Sequence, residues 1–365
     1  MKIAHIVRQF HPAVGGLEEF VLNLANAQRK RSMTVEVITL NRNFQTDAVL
    51  PSSDRIDDIS VHRVPYLGSK RYPIAPGIVK HLNGFDVIHI HAIDFFCDYI
   101  ALLKRLKLVD APVVVSTHGG IFHTTRNLAL KKLFFRHVSR HTLNVLDEVA
   151  CCSVADLATF EAIRTDLHLI ENGVRPQKFG PARAGGGNAM IYLGRLSQNK
   201  NLEQLMRWVG ALNCSGHTID LHIVGQSRTG DSAALRAEHA RLPGREHIHL
   251  DFDLDNADIC KVIEGCRYVV SASSHEGFGL SVPELMSYGL VPILNDIPPF
   301  RHFIAESACG ALFEYNKESF NLAVKSLEQS DDRQGAMERA AQFAQRYHWP
   351  RVEQKFRELY DALLH

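Results

Sequence analysis

The chain has 365 residues, 45% of them hydrophobic, which is enough for two domains with sizeable cores. A net charge of +1 lacks the basic excess of a nucleic-acid binder, and no apolar run is clean enough to span a membrane: the nearest, 277–295, holds Glu284 and two prolines. Seven cysteines, an odd number without CxxC spacing and with Cys151 next to Cys152, suit a reduced cytoplasmic chain.

The opening MKIAHIVRQF lacks the apolar core of a secretion signal and reads as a retained strand over 2–7. The loop Phe10-His11-Pro12-Ala13-Val14-Gly15-Gly16 follows, then a helix over 17–30 with apolar Leu17, Phe20, Val21, Leu24 and Ala25 at helical spacing. Strand, Gly-Gly loop and helix make the first unit of a Rossmann-like domain, although the loop departs from GxGxxG and argues against a dinucleotide. The paired glycines serve either an anionic ligand or a plain tight turn.

Strands are expected at 35–40 and 86–91, the latter with His89 and His91 on one face. Two such histidines could hold a metal, but no third ligand stands close by in the sequence, which favours a structural or acceptor-facing role. The strand at 112–117 ends in His118-Gly119-Gly120, putting a histidine at a carboxyl edge, where open α/β sheets bind ligands. Residues 127–141 form a basic amphipathic helix, with Lys131, Lys132, Arg136 and Arg140 among Leu130, Leu133, Phe134, Phe135 and Val138. Such a helix either lies on an anionic membrane or covers its own core. Residues 1–180 carry a charge balance of +5 and the remainder −4, so the basic half comes first. Strands at 149–153 and 167–170 close a first domain over 1–176, before the linker-like run Pro181-Ala182-Arg183-Ala184-Gly185-Gly186-Gly187.

The second domain, 177–347, opens with a strand at 190–193 and Gly194-Arg195-Leu196-Ser197-Gln198-Asn199-Lys200-Asn201. Arg195 and Lys200, just ahead of a helix over 202–212, offer two cations and a helix start to one anion. A strand at 221–224 follows, and another at 247–250 leads into Asp251-Phe252-Asp253-Leu254-Asp255. That run could hold a metal, but Asp253, Asp255 or Asn256 can equally cap a helix over 257–265. Next come a strand at 268–271, the loop His275-Glu276-Gly277-Phe278-Gly279, a helix capped by Ser281 with Pro283 in its first turn, and a strand at 291–294. Glycines here admit a phosphate close to the backbone, while Glu276 is an outward acceptor for hydroxyls. Glu284 either completes a capping box with Ser281 or is a second hydroxyl acceptor. Glycines for phosphate beside carboxylates for hydroxyls describe a nucleotide-sugar site. Residues 322–347 are helical, His348-Trp349-Pro350 breaks the helix, and a last one covers 352–364.

Glu276-Gly277-Phe278-Gly279-Leu280, followed by Pro283-Glu284-Leu285-Met286 and Gly289, resembles the donor-site signature of retaining glycosyltransferases of family 4. The resemblance implies the α/β GT-B fold: two facing Rossmann-like domains, a deep interdomain cleft, and a C-terminal segment, 348–365, crossing back to the first domain at Trp349. It implies that Gly15, Gly16, Arg195, Lys200, Gly279 and Leu280 bind the donor diphosphate. Glu276, Gly277, Phe278 and Gly279 would bind the donor sugar, and Glu284 the ribose. His118 and Glu276 would be the catalytic pair, with His118 orienting the sugar. No cofactor or metal is implied, and the departing phosphate oxygen would take the acceptor's proton on the front face.

Val7-Arg8-Gln9-Phe10-His11-Pro12, Gly15-Gly16-Leu17-Glu18-Glu19 and Ile297-Pro298-Pro299-Phe300-Arg301 look most like bacterial α-mannosyltransferases of exopolysaccharide assembly. That likeness implies GDP-mannose as donor, a polyprenyl-diphosphate-linked oligosaccharide as acceptor, and a peripheral place on the anionic inner face of the cytoplasmic membrane, docked through Lys131, Lys132, Arg136 and Arg140. A UDP-sugar donor, a sugar-nucleotide epimerase of the same fold and a non-catalytic nucleotide-sugar binder remain open as alternatives.

Overall fold

Short apolar runs, the central ones buried on both faces, build two largely parallel sheets, the pattern expected when helices cover both sides of a sheet. The computed structural model describes residues 1–13, 15–70, 72–119, 133–176, 178–181, 187–227 and 231–365. These form two compact units, one of Met1–Gly173 with Trp349–His365 and the other of Val174–His348. The expected boundaries at 176/177 and 347/348 thus fall at 173/174 and 348/349.

The sheet of the first unit contains β1 (Lys2–Ile6), β2 (Thr34–Leu40), β3 (Ser53–Ile56), β4 (Ile59–Val64), β7 (Val87–His91), β8 (Val113–Ser116), β9 (Glu148–Cys151) and β10 (His168–Leu169), in the order β10-β9-β8-β7-β1-β2-β4-β3. Only β3, antiparallel to β4, breaks the parallel pattern. A small hairpin of β5 (Leu67–Ser69) and β6 (Tyr72–Ile74) stands apart from this sheet. The chain builds outward in opposite directions from the neighbours β1 and β7, a topological switch point. Side chains alternate between two cores: Ala4, Ile6, Ile88 and Ile90 on one face, Ile3, Val7, Val37 and Val87 on the other.

That second face is covered by the helix Gly16–Arg29 and by the terminal helix Trp349–Leu364. Val352, Phe356, Leu359 and Tyr360 recur at helical spacing and are buried there. Trp349 marks the return of the chain, as expected: its indole lies on Gly173 so closely that a Cβ there would stand 2.6 Å from ring carbons.

The second unit's sheet contains β11 (Ala189–Leu193), β12 (Leu221–Gly225), β13 (Ile248–Phe252), β14 (Cys266–Ser271), β15 (Val291–Asn295) and β16 (Ala311–Phe313), all parallel, in the order β13-β12-β11-β14-β15-β16. Its switch point lies between β11 and β14. The helix expected over 322–347 is instead Lys317–Glu328, Arg333–Ala344 and a 3-10 turn Gln345–Tyr347. Asn316 starts the first piece by accepting from Ser319 N at 2.8 Å. The two prolines after Ile297 open a helix, Pro298–Ser307, where their missing N–H groups cost nothing.

Candidate active site

At the second unit's switch point the loops after β11 and β14 are laced together. Ser274 N donates to Asn199 O at 2.9 Å, Asn199 Nδ2 to His275 O at 3.1 Å, and Asn201 Nδ2 to Ala272 O at 2.8 Å. Asn201 takes the left-handed conformation, φ +53°, which asparagine tolerates well, and this turns the chain from the loop into the helix Leu202–Cys214. The outcome is a close ion pair: Lys200 Nζ lies 2.5 Å from Glu276 Oε1, with the lysine buried and the glutamate nearly so. Arg195 stands on the same edge with an exposed side chain, its carbonyl held by the Tyr192 hydroxyl at 2.8 Å.

Gly279 sits at φ +86°, with Phe300 where a side chain would go, so glycine is required there on both counts. The space beside Gly277 is open. Leu280, half-buried, directly precedes the helix Ser281–Met286. Phe278 was expected at the donor sugar, but its side chain is in the core against Phe303 and Tyr347, at ring distances of 5.3 and 5.2 Å. Only its backbone is left to meet a ligand.

The capping-box account of Glu284 fails on geometry. The helix begins at Ser281 itself, Leu280 is the preceding residue, and no side chain caps the start. The Glu284 carboxylate instead takes Lys178 Nζ at 2.9 Å. Lys178 escaped the sequence reading because it lies 106 residues away. The three aspartates at the end of β13 and just past it serve separate tasks: Asp251, within the strand, pairs with His222 at 2.7 Å, Asp253 accepts from Ser227 N at 2.9 Å, and Asp255 caps the helix Asn256–Gly265 by accepting from Asp258 N at 2.9 Å. Among the described residues they do not converge on one metal position.

The first unit's switch point carries the other expected residues. Gly16 opens its helix with free space beside it, whereas the carboxylate of Glu18 rests against Gly15. His118 follows β8 at φ +48°, with its loop held by Asp156, whose carboxylate accepts from Gly119 N at 2.8 Å and from the Thr117 hydroxyl. Phe20 packs edge-on to His118 at 4.6 Å between ring centroids.

Beneath His118 lies a cluster that the sequence reading missed. The third histidine beside His89 and His91 exists, but it is His5, on neighbouring β1. His5 Nδ1 meets His91 Nε2 at 2.8 Å, and His91 Nδ1 meets His118 Nε2 at 3.2 Å. Burial lowers the pKa of His5 to about 4 and of His118 to about 3, and pushes His89 and His91 well below the usual imidazole range. The arrangement favours four neutral rings.

Of the basic helix expected over 127–141, Lys131 and Lys132 lie outside the described residues. The described part is a π turn, Phe135–Ser139, running into the helix Arg140–Val145. Phe135, Ser139 and Leu143 are buried, while Arg136, Val138 and Arg140 are exposed. The neighbouring helix Phe95–Arg105, joined to it by Thr142 Oγ1 donating to Asp98 Oδ1 at 2.6 Å, ends in exposed Leu102, Leu106 and Leu108 with Arg105 and Lys107. Among the described residues no helix is long and apolar enough to cross a membrane.

Comparison with known proteins matches residues 14–178 to the family model "Glycosyltransferase Family 4" and residues 174–344 to "Glycosyl transferases group 1". Over its whole length the chain is 35% identical to a GDP-mannose:cellobiosyl-diphosphopolyprenol alpha-mannosyltransferase of Xanthomonas campestris, covering 97% of that protein. It is 33% identical to the protein of the same name from Komagataeibacter xylinus, covering 94% of it. Among solved structures, sucrose-phosphate synthase from Thermosynechococcus elongatus superposes with a TM-score of 0.75 at 16% identity, over 99% of this chain and 98% of that one. The lipopolysaccharide outer core galactosyltransferase WaaB gives 0.71 at 17% identity over 100% of both chains.

Proposed function

The chain belongs to glycosyltransferase family 4, and from that premise we propose that it moves mannose from GDP-mannose onto a polyprenyl-diphosphate-linked oligosaccharide in bacterial polysaccharide assembly. The observation that carries the chemistry is the Lys200–Glu276 pair, which joins two glycine-bearing loops at the second unit's switch point. A diphosphate entering there takes up the ammonium of Lys200 and frees the Glu276 carboxylate for the sugar's hydroxyls. Arg195 and the backbone N–H groups of Gly279 and Leu280 add positive potential where charge grows on the leaving diphosphate, and this part of the catalysis needs no metal. Glu284, held by Lys178, takes the ribose hydroxyls. The acceptor hydroxyl forms the new bond to the anomeric carbon on the face the diphosphate leaves. Its proton passes to the departing phosphate oxygen, so the configuration is retained. His118 and the open side of Gly16 stand at the carboxyl edge of the first unit's own sheet.

The deciding experiment is a thermal-shift series with GDP, UDP and their sugars, followed by transfer of labelled mannose to a polyprenyl-diphosphate disaccharide. GDP at 100 times its dissociation constant stabilises the protein by about 2.7 kcal/mol. A response to UDP alone would replace the donor, and release of a free epimerised nucleotide sugar would replace the reaction.

The acceptor's lipid supports a peripheral place on the inner membrane face. Arg136 and Arg140, together with Lys131 and Lys132, supply positive charge worth about 1 kcal/mol each near an anionic surface. Leu102, Leu106 and Leu108, at and just past the end of the helix Phe95–Arg105, add exposed apolar area in the same unit. Replacing the four cations by Gln releases the protein from anionic vesicles in co-sedimentation and leaves transfer to a soluble acceptor unchanged. Equal vesicle binding by this variant and the parent removes the surface from the account.

A further inference from the structure

Beneath His118, side chains from five elements form one continuous hydrogen-bonded path. Gln28 Oε1 takes His5 Nε2 at 2.7 Å, His5 Nδ1 takes His91 Nε2 at 2.8 Å, and His91 Nδ1 takes His118 Nε2 at 3.2 Å. Proton positions follow from the network. An amide oxygen only accepts, so His5 carries its proton on Nε2 and offers Nδ1 as an acceptor. That acceptor requires Nε2–H on His91, whose Nδ1 in turn requires Nε2–H on His118.

A branch closes the same way. Gln28 Nε2 donates to the Tyr360 hydroxyl at 3.3 Å, Tyr360 donates to His89 Nδ1 at 2.6 Å, and His89 Nε2 donates to Ser116 Oγ at 2.8 Å. Each donor meets one acceptor. His5, His89 and His91 also lie within reach of a common metal ion. Against this, both nitrogens of each ring already have partners, and the 2.8 Å between His5 and His91 is a hydrogen-bond distance. Two imidazoles on one zinc, at Zn–N distances of about 2.0–2.1 Å, would stand roughly 3.3 Å apart.

We propose that Gln28, His5 and His91 are positioning residues for His118: a one-way chain of neutral imidazoles, anchored by the Gln28 amide, that holds His118 as its Nε2–H tautomer with Nε2 turned into the protein. The inference rests on the reading of His118 as a residue at the reacting centre. Its consequence is that His118 is a preset neutral ring, with Nδ1 the acceptor toward Cys152 Sγ at 3.5 Å until a sugar hydroxyl displaces that thiol, and that its Nε2 neither gives nor takes a proton during transfer. The orienter of a catalytic histidine is here another histidine, in place of the more usual carboxylate. A carboxylate would favour the charged ring, and this chain of neutral donors and acceptors does not. Burial of Gln28, His5, His89 and His91, with His89 against Phe356 and Tyr360 of the terminal helix, agrees with a neutral chain.

The test is long-range 1H–15N correlation on full-length protein carrying 15N-histidine, with transfer kinetics alongside. In the parent at pH 7, His5, His91 and His118 each show the Nε2–H tautomer; a protonated ring or an Nδ1–H tautomer at His118 overturns the proposal without any variant. His91→Ala and Gln28→Ala give His118 signals of both tautomers and lower kcat between about tenfold and about a hundredfold, with the donor KM within about twofold of the parent. Destabilised variants whose His118 tautomer and kcat stay as in the parent would reduce the chain to packing and overturn it. If the parent transfers no mannose, the functional reading fails while the tautomers still decide the chain's role. If His118→Ala keeps the parent's kcat, transfer stands and the chain has nothing to position.

Discussion

The two sheets end in opposite chemistry. Beneath His118 at the first unit's switch point, His5, His89, His91 and the Gln28 amide lie fully buried in a network of neutral donors and acceptors. At the second unit's the side chains are charged, and cation meets anion in Lys200–Glu276 and Lys178–Glu284. A closed neutral network rigidifies whatever it holds and has no spare partner to offer. A salt bridge at a loop edge is held against the cost of desolvation and can exchange one partner for a ligand. The first edge therefore suits orientation, and the second suits binding and release of a charged leaving group.

The comparison breaks most sharply at Lys200. Lys200→Ala removes the cation and leaves the Glu276 carboxylate without its partner, and transfer should fall by about 10²–10³ in kcat/KM. Arg195→Ala, at an exposed position on the same edge, should cost about tenfold. If the pair serves ligand exchange, the double variant Lys200→Ala/Glu276→Ala regains stability lost by Lys200→Ala alone but remains inactive. Kinetics like the parent's in Lys200→Ala would take this edge out of the site.

Acid separates the two units next. The folded pKa of His5 is depressed to about 4, so between pH 6.5 and 4 the unfolded chain binds a proton that the folded one refuses. The associated stability is present above pH 6.5 and lost as pH falls through that window, roughly 3 kcal/mol for His5. His118, depressed further by burial, acts with the same sign. In the second unit the acid-sensitive groups are carboxylates: Glu238 and Glu306, held below the usual range by hydrogen bonds from Arg207 and Arg346, and Asp220, where burial raises the pKa but hydrogen bonds from His247 and His249 outweigh that. The contribution of Asp220 persists until pH falls below about 3.8. Hydrogen exchange at pH 7 and pH 5 should then show protection falling in β1 and β7 while β11 and β14 keep theirs. Equal losses in both sheets would show that the imidazoles are not the acid-sensitive element.

What was legible in the sequence follows from distance along the chain. Buried parallel strands announce themselves by short apolar runs, and Arg195, Lys200, Glu276 and Gly279 stand within a few residues of such strands, so the strands and loops of the second edge could be anticipated, but not the order of the strands in the sheet. The exposed hairpin of β5 and β6 has no apolar periodicity to betray it. His5 is joined to His91 across 86 residues and Lys178 to Glu284 across 106, partnerships that only the pairing of β1 with β7 and the return of the chain past β14 bring about. Ser281-Val282-Pro283-Glu284 shows the opposite failure, a correct local spacing without its structure. The helix starts one residue too early for Ser281 to stand before it.

That failure sharpens the smallest prediction. With no capping box, Glu284→Gln loses no bond of that kind; among its charge contacts it gives up the ion pair with Lys178, whose side chain is 42% exposed. A pair of that exposure is worth about 0–1 kcal/mol, so the melting temperature should barely move. The amide still accepts a hydrogen bond through its oxygen, but a neutral acceptor binds a ribose hydroxyl less strongly than a carboxylate does. The donor KM should rise by about three- to tenfold while kcat stays within about twofold, the signature of lost uniform binding. Lys178→Ala sharpens the assignment: if Glu284 is the ribose ligand and Lys178 only steadies it, this variant raises the KM less than Glu284→Gln does. An unchanged KM in Glu284→Gln would leave the carboxylate as the tether of Lys178 alone and move ribose recognition elsewhere on the second edge.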